Sequence, residues 1–373
     1  MTETMTPAKI QRKSFRAASG RRELHAIITP ADPAAPFEAQ LSSVAAGVLE
    51  QASEELRPVL VRYFLTDPAN QAAAVDALGH PCAVSVIGQP PLGGYKVAAW
   101  AWYQEGVTPE DDAEGFCRFR HDSGNYTTLL QTQACEPGLH SSTATRAMLS
   151  DLALRLTHEG GLLLDNCLRT WLFVRDVDVN YAGAVAGRNE LFAINGLTTD
   201  THFLASTGIN GVNADPTVTV TMDSLNYLGV KPEQVTQLHA REFLNPTAEY
   251  GVAFERGTLL DFGDRRHVYI SGTASIDNRG EVVHPGNVAA QTERMLLNIE
   301  ALLAEAGCDF GDVGHMLVYL RDLADRDAVE RIFAERFPEV PHILLLAPVC
   351  RPAWLVETEC MAFKAVETPY APF

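Results

Sequence analysis

Apolar residues along this chain fall into short β-like runs and longer helical stripes that follow one another, and that alternation predicts a mixed α/β protein. Residues 23–30 (ELHAIITP) and 57–67 (RPVLVRYFLTD) read as strands. Residues 36–53 between them are mixed and partly helical. A short helix is predicted over 68–78, with Asp67 near its start. CAVSVIG (82–88) and YKVAAWAWYQEG (95–106) read as strands joined by the turn segment QPPLGG. From 141 to 161 apolar residues recur at helical spacing, and Gly160-Gly161 closes the helix. LRTWLFVRDVDV (168–179) follows as a strand, and GRNELFAING (187–196) as a short helix.

The second half repeats this order. Residues 254–276 hold two strands, 287–307 an amphipathic helix stopped by Gly307, 313–322 a strand, and 325–338 a helix stopped by Pro338. HILLLAPV and LVETECMAFKAV supply the last two strands. TRAMLSDLALRL (145–156) matches ERMLLNIEALL (293–303), and TWLFVRD (170–176) matches MLVYLRD (316–322). The match sets Arg175 beside Arg321 and Asp176 beside Asp322, a pairing that favours a structural role for both arginines. These repeats predict duplication of one β-α-β unit. The expected division is a disordered tail over 1–22, a first domain over 23–210, and a second over 211–373 that carries the active site. The Gly/Asn/Pro-rich stretch GINGVNADPT marks the connection.

Composition narrows the function. With 373 residues, 46% hydrophobic and 20% charged, the chain has the profile of a soluble globular protein. A net charge of −18 repels polyanions, which argues against nucleic acid and anionic membrane surfaces as partners. No apolar run reaches the length of a membrane span. The N-terminus is basic but lacks the apolar region of a secretory signal. Seven cysteines without a CxxC pair fit a reducing cytoplasm rather than a disulfide framework or a zinc site. The histidines show no metal-ligand spacing, and no Gly-rich phosphate loop precedes a helix. Neither a metal nor a cofactor is expected.

The densest chemistry lies in CRPAWLVE (350–357), where a thiol, a guanidinium and a carboxylate share one short apolar segment. A carboxyl flanked by Trp354, Leu355 and Val356 is a candidate proton donor, because burial favours its neutral form. On spacing alone either Glu357 or Glu359 fits, since the two share a strand face. Arg351 can hold a carboxylate bidentately. Trp354 is expected in the core.

Residues 240–366 resemble the Rid/YjgF family of small α/β proteins, through NPTAEYGVAFERG, VYISGTASID, the helix AQTERMLLNIEALLAEAG, VYLRD and the arginine-to-glutamate strand in that order. The resemblance implies a pocket lined by Tyr250, Ser271, Gly272, Arg351 and Glu357. The segment between arginine and glutamate is shorter here and reads CRPAW, a departure from the family. From about residue 25 onward the chain resembles the chorismatase family, through VRYFLTDPANQ, GQPPLGGYK, GRNELF, ASTGI and APVCRPAWLVETEC. That resemblance implies an α+β fold with mixed sheets packed by helices, chorismate as substrate, and Glu357 as proton donor. It also implies that Cys350 together with Gly263 marks the type that forms 3-hydroxybenzoate and pyruvate. Alternatives are hydrolysis to a dihydroxycyclohexadiene carboxylate and a Rid-like imine deaminase or binding protein.

Chorismate carries two carboxylates, so two cationic or donor clusters are needed. Arg351 is the first; Arg256 and Arg188 are candidates for the second, with Tyr181 and Tyr250 as further donors. A monomer is favoured, because a duplicated chain can build internally the contact that Rid proteins make between subunits.

Overall fold

The computed structural model describes residues 7–113 and 116–373. The described residues form three β-sheets. The first is built from β1 (Lys9–Arg16), β2 (Arg22–Thr29), α1 (Phe37–Glu50), β3 (Leu56–Leu65), α2 (Pro68–Asp76), β4 (Ala83–Gly88) and β5 (Val97–Glu105), with strand order β1-β2-β5-β3-β4. The second contains β6 (Val107–Ala113), β7 (Phe116–His121), β8 (Thr127–Cys135), α3 (Ser141–His158), α4 (Leu163–Asn166), β9 (Cys167–Val174), α5 (Val177–Ile194), β10 (Ala205–Asn210) and β11 (Val220–Leu228), ordered β10-β9-β11-β8-β7-β6. The third contains β12 (Val235–Leu238), β13 (Gly257–Asp261), β14 (Arg265–Ala274), α6 (Val288–Glu305), β15 (Val313–Leu320), α7 (Arg326–Arg336), β16 (His342–Leu346) and β17 (Val356–Ala365), ordered β12-β13-β14-β17-β15-β16.

The fold is α+β with mixed sheets of Rid/YjgF type, as expected, but the unit occurs three times rather than twice. In each sheet a parallel strand pair is joined by a helix crossover, and the last strand inserts antiparallel beside it. Register makes the equivalence residue-specific. Leu65 faces Val97 and Gly88, Val174 faces Val220 and Asn210, and Leu320 faces Val356 and Leu346. Hence Thr66-Asp67, Arg175-Asp176 and Arg321-Asp322 occupy one position in three copies. The first copy lacks the arginine, which is why the pairwise match passes over it. Sheet boundaries fall near residues 106 and 229–234, so a division at 210 cuts through the second sheet between β10 and β11.

The expected disordered tail over 1–22 is also corrected. Residues 1–6 lie outside the described residues, but Lys9–Arg16 pairs along its whole length with β2, from Lys9↔Thr29 to Arg16↔Arg22. Ile10 and Phe15 pack on the core, while Lys9, Arg12 and Lys13 keep the edge strand charged.

Local chemistry explains the helices. Asn287 caps α6 by accepting the Ala290 N–H at 3.1 Å, and Met295, Leu296, Ile299, Leu302 and Leu303 form its buried face. Gly307 closes it at φ 67°. Strand β9 ends at Val174 and α5 begins at Val177, so the predicted strand over 168–179 stops short and GRNELFAI is the second half of a longer helix.

The sheets meet through buried ion pairs. Arg62 on β3 reaches Asp223 on β11 at 2.9 Å, Arg169 on β9 reaches Glu359 on β17 at 2.9 Å, and Arg265 on β14 reaches Glu23 on β2 at 2.7 Å. Each contact joins a different pair of sheets. Where the copies converge, Thr66, Arg175 and Arg321 line a cavity of ≈ 450 Å³ together with the equivalent Gly88, Asn210 and Leu346. Arg175 donates to the carbonyls of Val218, Asn213 and Asp215, and Arg321 grips Asp178.

Candidate active site

A single cavity between the second and third sheets collects Glu357, Cys350, Arg351, Arg256, Gly272, Tyr181 and Arg188. The third sheet therefore does not carry the site alone: Tyr181 and Arg188 come from α5, and Ser206 and Gly208 from β10. Cys350, Arg351 and Trp354 sit on the loop between β16 and β17. Phe254 and Arg256 arrive on the segment leading into β13.

Glu357 lies on β17 between Ala274 of β14 and Tyr319 of β15, and is 4% exposed. Burial first, and the charge of Glu359 second, push its carboxyl up from 4.5 to about 8, against the opposing pull of Arg256. Glu359 points to the same strand face but is consumed by partners. It accepts from Arg169 at 2.9 Å and from the Trp171 indole at 2.8 Å. The geometry thus separates two carboxyls that spacing left equivalent: one is salt-bridged, the other borders the cavity.

Room for Glu357 depends on Gly272. A Cβ at Gly272 would stand 2.1 Å from Glu357 Oε1, where no real contact fits. Strand β14 is irregular here, shifting register between Ile270 and Thr273, and the Gly272 N–H donates to Thr207 Oγ1 at 2.9 Å. Gly272→Ala is expected to displace the Glu357 carboxyl and cost at least about tenfold in kcat, since small misplacements of a reacting group carry penalties of that order; steady-state turnover of the folded variant checks it.

The thiol of Cys350 and the hydroxyl of Tyr181 line the cavity together, and each perturbs the titration of the other. Burial, aided by the charge of Glu357, pushes the thiol up to about 12, and burial raises Tyr181 well above its usual range. Both groups are protonated at neutral pH. Gly208 lets the Tyr181 ring approach, since its Cβ would meet Cε2 at 2.8 Å. Arg188 and Arg256 stand 5.8 and 5.5 Å from the Phe254 ring centre, and Arg351 is 5.4 Å from that of Trp354. Three guanidiniums therefore border the cavity, against a chain whose net charge is −18. Trp354, expected in the core, is buried and lines the site as well.

Other expected site residues lie elsewhere. Gly263 sits in the turn between β13 and β14, where its N–H donates to the Ala371 carbonyl at 2.7 Å and a Cβ would stand 2.4 Å from the Tyr370 carbonyl oxygen. It is a packing glycine beneath the C-terminal segment and not a pocket wall. Ser271 is buried and does not line the cavity; its hydroxyl donates to the Glu255 carbonyl at 2.6 Å and accepts the Ser206 N–H at 2.9 Å, stitching the third sheet to the second. Tyr250 ends the 3-10 turn Thr247–Tyr250, and its side chain lies outside the described ones. Sequence reasoning missed Phe254, Val252, Ser206, Gly208, Ala274 and Ile276 as lining residues. Ser206 and Gly208 belong to the ASTGI block, whose resemblance carried no role for them.

Among the described residues no group of His, Cys, Asp or Glu side chains is placed to hold a metal ion, and no helix is long and apolar enough to cross a membrane.

A three-sheet α+β protein with a buried carboxyl site at the seam of two Rid-type units is the class that this geometry defines. The comparisons agree with that class. Residues 261–364 match the family model described as Endoribonuclease L-PSP. The 3-aminoacrylate deaminase RutC of Acinetobacter baylyi is 43% identical over 72 residues, a match covering 19% of this chain and only 57% of that protein. A RutC family protein of Pyrococcus abyssi is 35% identical over 122 residues, or 32% of this chain and 89% of the relative. The chain belongs to the RutC family. A crystal structure of a chorismatase superposes with a TM-score of 0.64 at 23% identity, covering 84% of this chain and 94% of that one, so the two share a fold well beyond the family segment.

Proposed function

We propose that the chain converts chorismate to 3-hydroxybenzoate and pyruvate, with Glu357 as the acid. The observation that carries this reading is a carboxyl held neutral up to about pH 8 in a cavity bordered by Arg188, Arg256 and Arg351. The arginines suit a dianion, and the acid suits protonation of an enol ether, which needs a carboxyl that is still protonated at working pH.

Glu357 gives its proton to the terminal methylene of the enolpyruvyl group, which becomes an oxocarbenium centre. The neighbouring ring hydroxyl then attacks the ring carbon that bears the ether. That carbon–oxygen bond breaks and releases pyruvate as the ketone, and the hydroxyl proton returns to the Glu357 carboxylate. The epoxide-like ring opens and exchanges a carbon-bound proton for an oxygen-bound one as it becomes aromatic. The two products together contain the atoms of chorismate, so no water and no cofactor is consumed. Exclusion of water favours this internal route over hydrolysis. With Gly263 outside the site, product choice rests on Cys350, which with Tyr181 puts two protonated groups on the cavity wall.

Incubation with chorismate, followed by chromatography, tests the reading. Pyruvate with 3-hydroxybenzoate is expected. Pyruvate with the diene acid would make the chain a hydrolase, and absence of pyruvate would leave an imine-directed activity. Cys350→Ala is expected to divert product toward the diene acid; an unchanged product ratio would remove the thiol from the mechanism. A proton donor titrating near 8 also sets the pH profile. The rate should be level below that value and fall about tenfold per unit above it, as read from pyruvate release between pH 6 and 10. We further propose that the protein works in the reducing cytoplasm, which suits its seven cysteines, and as a monomer, since the seam between Rid-type units is made within one chain.

A further inference from the structure

A second polar chamber of ≈ 260 Å³ adjoins the site, and the two share Arg256 as a wall. Residues Phe254, Glu255 and Arg256 run between them. Phe254 lines the reaction cavity, Glu255 lines the chamber, and Arg256 lines both. The Arg256 guanidinium donates to the Asn245 carbonyl at 3.1 Å and to its side-chain oxygen at 3.2 Å, and Asn245 is itself a chamber residue. Cationic and donor groups dominate the chamber: Arg241 and Arg256, with His202 and His239. The carboxylate lining it, Glu255, is engaged by the Phe203 N–H at 2.9 Å and lies 3.5 Å from His239 Nδ1. In a chain of net charge −18, such a pocket is a local well for small anions.

We propose that this chamber is a holding site for a small carboxylate in transit, and that the carboxylate is the pyruvate formed in the neighbouring cavity. The inference rests on the reading under Proposed function. The reaction cavity must release two fragments, and at ≈ 30 Å³ against ≈ 260 Å³ it is the smaller space. Arg256 holds an anion on one side and borders the chamber on the other, so the three-carbon acid can pass from cavity to chamber without leaving guanidinium contact. Release of product limits many enzymes that close around their substrate.

Thr199 and Arg241 are exposed residues lining the chamber and lie outside the reaction cavity. Thr199→Trp narrows the chamber. Its steady-state kcat should fall about tenfold, with a burst of one pyruvate per chain, while the single-turnover rate stays that of the unaltered protein. Arg241→Gln should weaken inhibition by oxamate, an unreactive analogue of pyruvate, about tenfold, the usual scale for losing a charged hydrogen bond. Steady-state and single-turnover rates that both match the unaltered protein, with unchanged oxamate inhibition, overturn the chamber. So does a parallel fall of both rates, which would mark a structural effect. If the unaltered protein makes no pyruvate, the functional reading fails and takes the chamber with it; if pyruvate forms and the variants behave normally, only the chamber fails.

Discussion

Glu357→Gln is expected to lower pyruvate release from chorismate by a factor of about 10²–10⁴, the usual contribution of a general acid, while leaving the protein folded and, at alkaline pH, more stable. The stability effect follows from the same burial that makes the acid. Folding raises the Glu357 carboxyl from 4.5 to about 8. The folded chain therefore holds a proton that the unfolded chain has lost between those values. Its contribution is fully present below pH 4.5, is lost as pH rises toward 8, and stays lost above. Glutamine keeps the shape and cannot ionise, so it escapes that loss, which is roughly 5 kcal/mol at most from the size of the shift. Urea denaturation at pH 6 and pH 9, beside pyruvate assays, checks both halves. Retained turnover would transfer the donor role to another group. Glu359 is a poor successor, because Arg169 and Trp171 already hold its two oxygens.

The CRPAWLVE segment was legible because its chemistry is local: a strand carrying Glu357 and the loop carrying Cys350 and Arg351 are adjacent in sequence, and folding leaves them adjacent in space. Across the seam, Tyr181 and Arg188 were legible as candidates, but their shared helix was not. Tyr181 and Arg188 lie two turns apart on the same face of α5, a helix whose first half, VDVNYAGAVA, is too rich in small and β-branched residues to read clearly as helical. Gly263 shows the opposite error. A glycine in a turn satisfies a backbone or packing demand as readily as a pocket, and here the Tyr370–Pro372 segment occupies the space where a Cβ would go.

The threefold repeat was hidden because it is conserved in register and not in residue type. Ala98, Thr221 and Glu357 each follow the strand residue that faces Leu65, Val174 or Leu320, so they are one position in three copies. Only the third bears an acid. The space it uses is closed in the second copy. Gln133 is to Thr221 what Gly272 is to Glu357, two residues before the strand partner of each. Gln133 sits there at φ 63°, with its N–H donating to Asp223 at 2.9 Å and its side-chain amide to the Val86 carbonyl at 2.9 Å. A side chain that fills the seam in one copy and a glycine that opens it in another explain why three similar interfaces yield one site of this chemistry.

That seam depends on the buried pair behind it, and Arg169→Met is expected to cost about 3–5 kcal/mol, the usual result of removing one member of a buried ion pair, since Glu359 would keep only the longer 3.9 Å approach of Arg62. Arg169 is 1% exposed and Glu359 2%. The guanidinium also donates to the Ile270 carbonyl at 3.0 Å and to Thr207 Oγ1 at 2.9 Å, so one side chain ties β9 to β10, β14 and β17. The loss is large against the 5–15 kcal/mol or so that stabilises a typical domain. Removing the charge on both sides should be milder. Arg169→Met with Glu359→Leu leaves Arg62 bound to Asp223 at 2.9 Å and replaces two buried charges by apolar volume, so the double variant should recover part of the loss. Urea midpoints of the two single variants and the double variant measure this coupling. A double variant no more stable than Arg169→Met would show that the carbonyl and Thr207 bonds, and not the ion pair, hold the second sheet to the third.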